Sequence, residues 1–321
     1  MLIVSEETCR DVVGMGDALA AVEGVFAAMA RGDAYNFPVI REAIGHADAL
    51  YGFKSGFDRA GLTLGLKSGG YWPGNEKKGL TNHQSTVFLF DPDTGRPHAI
   101  VGGNYLTAVR TAAASAVSIG RLARKDAKVL GMVGAGFQSA FQMRAAATQR
   151  DFERVIGWNL HPEMLSRLAE TADEIGLPFE AVDLDRLGAE ADVIVTITSS
   201  FAPILKRSQV RPGTHLACMG TDTKGKQEVE AELVAAATVF TDEVAQSVLI
   251  GECQHAVSEG LISEADITPI GAVINGVHAG RSSDDEITLF DGTGVGLQDL
   301  AVASVAVDLA KKAGRAQDVA F

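Results

Sequence analysis

The chain has 321 residues, 46% of them hydrophobic, enough for a sizeable core in two domains or one large one. Its 28 basic against 41 acidic residues give a net charge of −13, which argues against nucleic acid or an anionic membrane as partner, because both require a positive footprint. Cys9, Cys218 and Cys253 are too widely spaced for a disulfide framework or a zinc site, and no run approaches the ~18 apolar residues of a membrane span.

The amino terminus, "MLIVSEETCRDVV", lacks the basic and then apolar regions of a signal peptide, so a soluble, cytoplasmic protein is expected. A helix-like segment follows from Gly16 to Met29. Strand-like runs come next: "ALYGFKSG", "GLTLGLKSGG", "STVFLFD" and "HAIVGG", with the turn chemistry of "DPDTG" (91–95) between the last two. Strands joined by hairpins predict an α+β domain with much antiparallel sheet. Residues 104–124, "NYLTAVRTAAASAVSIGRLAR", form a long Ala-rich helix candidate.

Beyond residue 120 the texture becomes alternating. Strands are expected at 128–133, 154–158, 192–197, 214–219 and 237–241, and helices at 137–148 and 162–175. Such interleaving predicts a parallel, doubly wound sheet. The final helix, "GLQDLAVASVAVDLAKKAG", joins either domain as far as pattern alone can tell.

"KVLGMVGAGFQSAFQ" (128–142) is the first candidate for chemistry. A Gly-x-Gly alone is weak, but here a strand leads into it, a helix follows, and a second strand arrives about 20 residues on, as a dinucleotide-binding unit requires. Gly134 allows the tight turn and Gly136 lets backbone approach a pyrophosphate, while Ser139 stands where a small residue permits close packing. The second strand, "RVIGW", ends at Asn159 rather than at an acid, and no Arg follows, which favours NAD over NADP. Lys67 is the only charge in an apolar, glycine-rich strand, and Arg110 lies in a tightly packed Ala-rich helix. His83, His215 and His278 have no metal-like spacing and read as structural or solvent-facing, so no metal is expected.

The segments "GNYLTAVRTAAASAVS", "GAGFQS", "GTDTKGKQEV" and "LFDGTGVGLQDLA" together resemble the ornithine cyclodeaminase/μ-crystallin family, over nearly the whole chain. The resemblance implies an α/β fold: a Rossmann, doubly wound parallel sheet domain (121–296) inserted into an α+β substrate-binding and dimerisation domain (1–120). The carboxy-terminal helices (297–321) would return to the latter, and a homodimer is implied. It also implies NADH-dependent hydride exchange with a small carboxylated imine or amino acid. Cyclodeamination, ketimine or pyrroline-2-carboxylate reduction and non-catalytic ligand binding are the family's other activities.

Residue by residue, the resemblance assigns Arg41, Lys67 and Arg110 to the substrate's α-carboxylate, and Lys67 or Asp222 to proton transfer. It assigns Arg110, Thr111, Gly134, Gly136, Phe137, Gln138, Asn159, Ser199, Met219, Gly220, Thr293 and Gly294 to the cofactor. One departure is informative: many members carry Met-Pro where this chain has "YGFKSG" (51–56). Lys54 would repel the distal ammonium of ornithine and suits a second carboxylate, so a C4 dicarboxylic imine, reduced to L-aspartate, is the expected substrate.

Overall fold

The computed structural model describes all 321 residues. They divide into two compact units, Met1–Arg110 with Val295–Phe321, and Thr111–Gly294. The second is thus an insertion into the first.

The first unit is an eight-stranded sheet with helices. Its strands are β1 (Leu2–Val4), β2 (Ala34–Asn36), β3 (Ile40–Ala43), β4 (Leu50–Asp58), β5 (Thr63–Tyr71), β6 (His83–Phe90), β7 (Pro97–Gly102) and the terminal Gln317–Asp318. From β4 to β7 the chain is an antiparallel meander. The β6–β7 turn forms as its residues dictate: Asp91 Oδ1 accepts from the backbone N–H groups of Asp93 and Thr94, at 2.9 and 3.0 Å. Both β2 and β3 pair with β4 along one edge.

Helices α1 (Glu6–Val12) and α2 (Met15–Ala30) and the C-terminal helix Gly296–Lys312 complete this unit. The C-terminal helix packs on α2, β4 and β5. Close approach requires Gly65, where an added Cβ would lie 3.0 Å from Leu300 Cδ2 and collide with the Phe88 carbonyl. No single helix in the chain is long and apolar enough to cross a membrane.

The second unit is built on a parallel sheet in the order β10-β9-β8-β11-β13-β17-β15-β16. Its members are β8 (Val129–Val133), β9 (Arg154–Trp158), β10 (Phe179–Ala181), β11 (Val193–Thr196), β13 (His215–Cys218), β15 (Thr238–Thr241), β16 (Ile267–Pro269) and β17 (Thr288–Asp291). A separate pair, β12 (Phe201–Leu205) and β14 (Gln227–Val229), lies off it. The chain winds outward from β8 to β10, then crosses back to β11, so the order reverses between β8 and β11. Central strands are wholly buried and read as continuous apolar runs, as a sheet covered on both faces demands. All three cysteines are buried and unpaired with one another.

The first break falls at Arg110 rather than after residue 120, and the return at Val295 rather than 297. It lies inside one continuous helix, α3 (Asn104–Leu122). From Ser118 onward the helix makes side-chain and carbonyl bonds within the second unit. Ser118 Oγ lies 3.1 Å from His215 Nε2, and the Gly120 and Ala123 carbonyls accept from Arg150 at 3.2 and 2.6 Å. A boundary set by composition could not see where those partners lie.

Candidate active site

In the first unit, register gathers the expected cations. Lys54 on β4 stands directly opposite Lys67 on β5, and Arg41 on β3 opposite Gly52. Because side chains alternate along a strand, Arg41, Lys54 and Lys67 share one face of the sheet, together with His83, which pairs with Tyr71. The C-terminal helix covers part of that face and brings Asp299, fully buried, to Lys67 and Arg110, each only 6% exposed. Lys67 Nζ is 2.7 Å from Asp299 Oδ2, and Arg110 Nε is 3.0 Å from Oδ1. Arg110 also donates to Gln298 Oε1 at 2.9 Å, and Lys67 to Thr107 Oγ1 at 3.4 Å. One carboxylate therefore aligns two cations.

Electrostatics follow from that packing. Burial pushes the Lys67 ammonium down to about 7; Asp299 opposes the shift, while Arg110 and Lys54 add to it. Burial alone would raise the Asp299 carboxyl, but Arg110 and Lys67 hold it below its ordinary value. Burial, reinforced by the positive charge of Lys67, drives the His83 imidazole to about 3. His83 is thus a neutral, half-buried ring beside the cations. Arg41 is exposed on its edge strand, whereas Lys54 is half-buried.

In the second unit the glycine turn lies at the C-terminal edge of β8, where the strand order reverses, the position at which open α/β sheets bind ligands. Gly134 has φ +108, and a Cβ there would sit 2.6 Å from the Ile197 carbonyl, so no other residue fits. A Cβ on Gly136 would meet nothing within 4 Å. That open cradle fits the pyrophosphate of a dinucleotide. Phe137 is exposed and Gln138 immediately precedes helix α4 (Ser139–Ala147). The helix begins two residues later than expected, because Gly136 to Gln138 form a turn first.

Asn159 serves the turn itself: its Oδ1 accepts from Ala135 N–H at 3.0 Å, and its Nδ2 donates to the His161 carbonyl at 2.9 Å. Ser199 is exposed beyond β11; Met219 and Gly220 follow β13; Thr293 and Gly294 follow β17; Thr111 is buried in α3. Thr293 Oγ1 donates to Asp242 at 2.6 Å, so its hydroxyl proton is committed to the fold. Asp222, also after β13, pairs with Lys226 at 2.8 Å. Histidines 215 and 278 are structural: His215 is buried between Ser118 and Thr288, and the His278 ring packs edge-on against Phe240. No group of His, Cys, Asp and Glu is arranged to hold a metal ion.

Asp299 is the main residue that the sequence reading missed. The signal was present: Asp299 is spaced with Val302, Ala303 and Ala306 on the apolar face of its helix, where an acid needs a partner. Asp308, the helix's other acid in that apolar stretch, is exposed.

A parallel sheet with a glycine turn at its reversal point, inserted into a unit that carries a buried cation cluster, defines a dinucleotide-binding α/β protein equipped for carboxylated ligands. The chain belongs to the ornithine cyclodeaminase/mu-crystallin family, whose model matches residues 3–314. It is 68% identical over 319 residues to the iminosuccinate reductase of Paracoccus denitrificans, covering 99% of both chains. The crystal structure of that enzyme with NAD+ superposes with a TM-score of 0.97, at 68% identity, covering 100% of this chain and 99% of that one. An archaeal alanine dehydrogenase dimer with bound NAD matches at 32% identity and TM-score 0.94, covering 100% and 99% of the two chains. Thermococcus litoralis Δ1-pyrroline-2-carboxylate reductase, in complex with NADH and L-proline, matches at 27% identity and TM-score 0.94, over 99% and 100%.

Proposed function

We propose that this chain is an NADH-dependent imine reductase that converts iminosuccinate to L-aspartate. The observation that carries the reading is Lys54 in register with Lys67, beside Arg110, which equips one sheet face for two carboxylates. The full-length likeness to an iminosuccinate reductase supports it. NADH, held at Gly134, Gly136, Phe137 and Gln138 and by Ser199, Met219, Gly220, Thr293 and Gly294, supplies a hydride to the imine carbon. Arg110, with Arg41, orients the α-carboxylate, and Lys54 takes the distal one. As the C=N π pair moves to nitrogen, Lys67 donates the proton. Its lowered pKa suits a donor at neutral pH, and Asp222 is engaged with Lys226. Asn159 offers neither an acid to grip the ribose nor a cation for a 2′-phosphate, so NADP is the lesser cofactor.

Purified protein given oxaloacetate and ammonium, which condense to the imine, should oxidise NADH one-for-one with L-aspartate formed, and faster than NADPH. Gly136→Val should abolish NADH binding without unfolding the chain, because its side chain enters the open cradle. Ornithine conversion with no net NADH consumption would instead make the chain a cyclodeaminase.

The first unit would then be the substrate and dimerisation domain and the second the cofactor domain, in a cytoplasmic homodimer. On the sheet face opposite Lys54, Phe53, Ile40 and Tyr35 are exposed, with Phe37 and Ile44 flanking them. Such an uncovered apolar face suits a second copy. Light scattering should return twice the chain mass of 33.6 kDa, and Ile40→Asp should return a single chain. A monomeric wild type would remove the dimer.

A further inference from the structure

Two carboxylates in the second unit, Glu228 and Asp242, accept from the ends of the parallel strands and the turns that follow them. Glu228, fully buried, takes Thr196 Oγ1 and Thr198 N–H at 2.6 Å and Gly220 N–H at 2.9 Å. It thereby joins the ends of β11 and β13. Asp242, 3% exposed, takes Thr293 Oγ1 at 2.6 Å, Thr293 N–H at 3.1 Å and Gly294 N–H at 2.8 Å, which fixes the turn after β17. Glu252 in turn holds Glu228 through the backbone N–H groups of Glu228 and Val229, both at 2.8 Å. The oxygens of Glu228 and Asp242 act in these bonds as acceptors from hydroxyl and backbone N–H groups.

These bonds have a directional consequence. In a trans peptide the N–H and the preceding C=O point in opposite directions. Drawing the N–H groups of Thr198, Gly220, Thr293 and Gly294 inward therefore turns the carbonyls of Ile197, Met219, Gly292 and Thr293 away from the buried acids. The Ile197 oxygen is taken up by close packing against Gly134 of the glycine turn, which leaves the carbonyls of Met219, Gly292 and Thr293. Outward carbonyls at the carboxyl edge are acceptors, suited to the amide N–H groups of a nicotinamide carboxamide.

We infer that Glu228 and Asp242 are positioning residues for the nicotinamide half of the cofactor, acting through the strand-end peptides they hold. The inference rests on the NAD(H) reading above. Charged hydrogen bonds to backbone are roughly twice as strong as neutral ones, so losing one loosens the strand-end peptide it holds. An amide replacement has nearly the same shape but presents an N–H2 to a backbone N–H, so at least one bond becomes a repulsion.

The test measures equilibrium binding of NADH and of ADP-ribose, which lacks the nicotinamide, to full-length wild type, Glu228→Gln and Asp242→Asn. Each variant should weaken NADH by about tenfold or more, the loss of one charged hydrogen bond, and ADP-ribose by less than about twofold. Thr196→Val, which removes one donor while keeping shape, should weaken NADH in the same direction by a few-fold, and it decides the matter should the acid variants not fold. Equal losses for both ligands, or none for either, would overturn the inference and leave the acids as fold supports. Failure of wild type to bind either ligand would instead overturn the cofactor reading.

Discussion

Lys67→Met is expected to bind NADH as tightly as wild type and to reduce iminosuccinate about 10²–10⁴-fold more slowly, the usual contribution of a positioned general acid. Lys67 is buried, lies 2.7 Å from Asp299 and has its ammonium pushed down to about 7. The donor must carry its proton, so kcat/KM should be level below that pH and fall about tenfold per unit above it. The neighbours supply opposite signs. Asp299 raises the Lys67 pKa, so Asp299→Asn should move the falling limb to lower pH; Lys54 lowers it, so Lys54→Met should move the limb to higher pH. Asp299→Asn also removes the partner of two buried cations, a class of change that costs about 3–5 kcal/mol of stability. Profiles that do not move, or that move the same way in both variants, would take Lys67 out of the proton-transfer role.

The second large effect concerns selectivity. Lys54→Met should raise KM for iminosuccinate by about tenfold or more, since a hydrogen bond to a charged group contributes roughly 1.5–3 kcal/mol. The monocarboxylic imine formed from pyruvate and ammonium has no group for Lys54 to hold, so its KM should change little. Arg110→Ala should damage both, because both imines share the α-carboxylate. Steady-state kinetics on the two imines decide the matter. An equal response to Lys54→Met removes Lys54 from the site, and a wild type that handles both imines equally well removes the dicarboxylate assignment.

Much of this was legible in the sequence, for physical reasons. The second unit declares itself because buried parallel strands are continuous apolar runs, and because the Gly134 turn tolerates no other residue. The meander of the first unit is marked by its turn at Asp91. The shortest elements were silent: β10 and β14 span three residues each, too few for periodicity to speak. Among site residues, Lys67 and Arg110 stood out as charges in apolar surroundings. His83 and Asp299 did not, because their significance lies in partners far along the chain: Asp299 meets Arg110 across 189 positions. Asn159 stood out by its position after the second strand, but its two bonds within the turn depend on geometry that no spacing reveals.

The pairing of Lys54 with Lys67 also bears on how this chain can change. Like charges directly opposite on antiparallel strands are destabilising, against the roughly 0.2–1 kcal/mol that a favourable pair contributes. The protein therefore carries, in the middle of its sheet, a pairing that selection for heat resistance alone would remove. With Lys54 in its proposed role, an apolar residue at position 54 is expected to make a hardier protein and a less discriminating one. Robustness and choosiness are opposed at this single position, so variants recovered purely for thermal tolerance are expected to drift toward smaller, singly charged substrates.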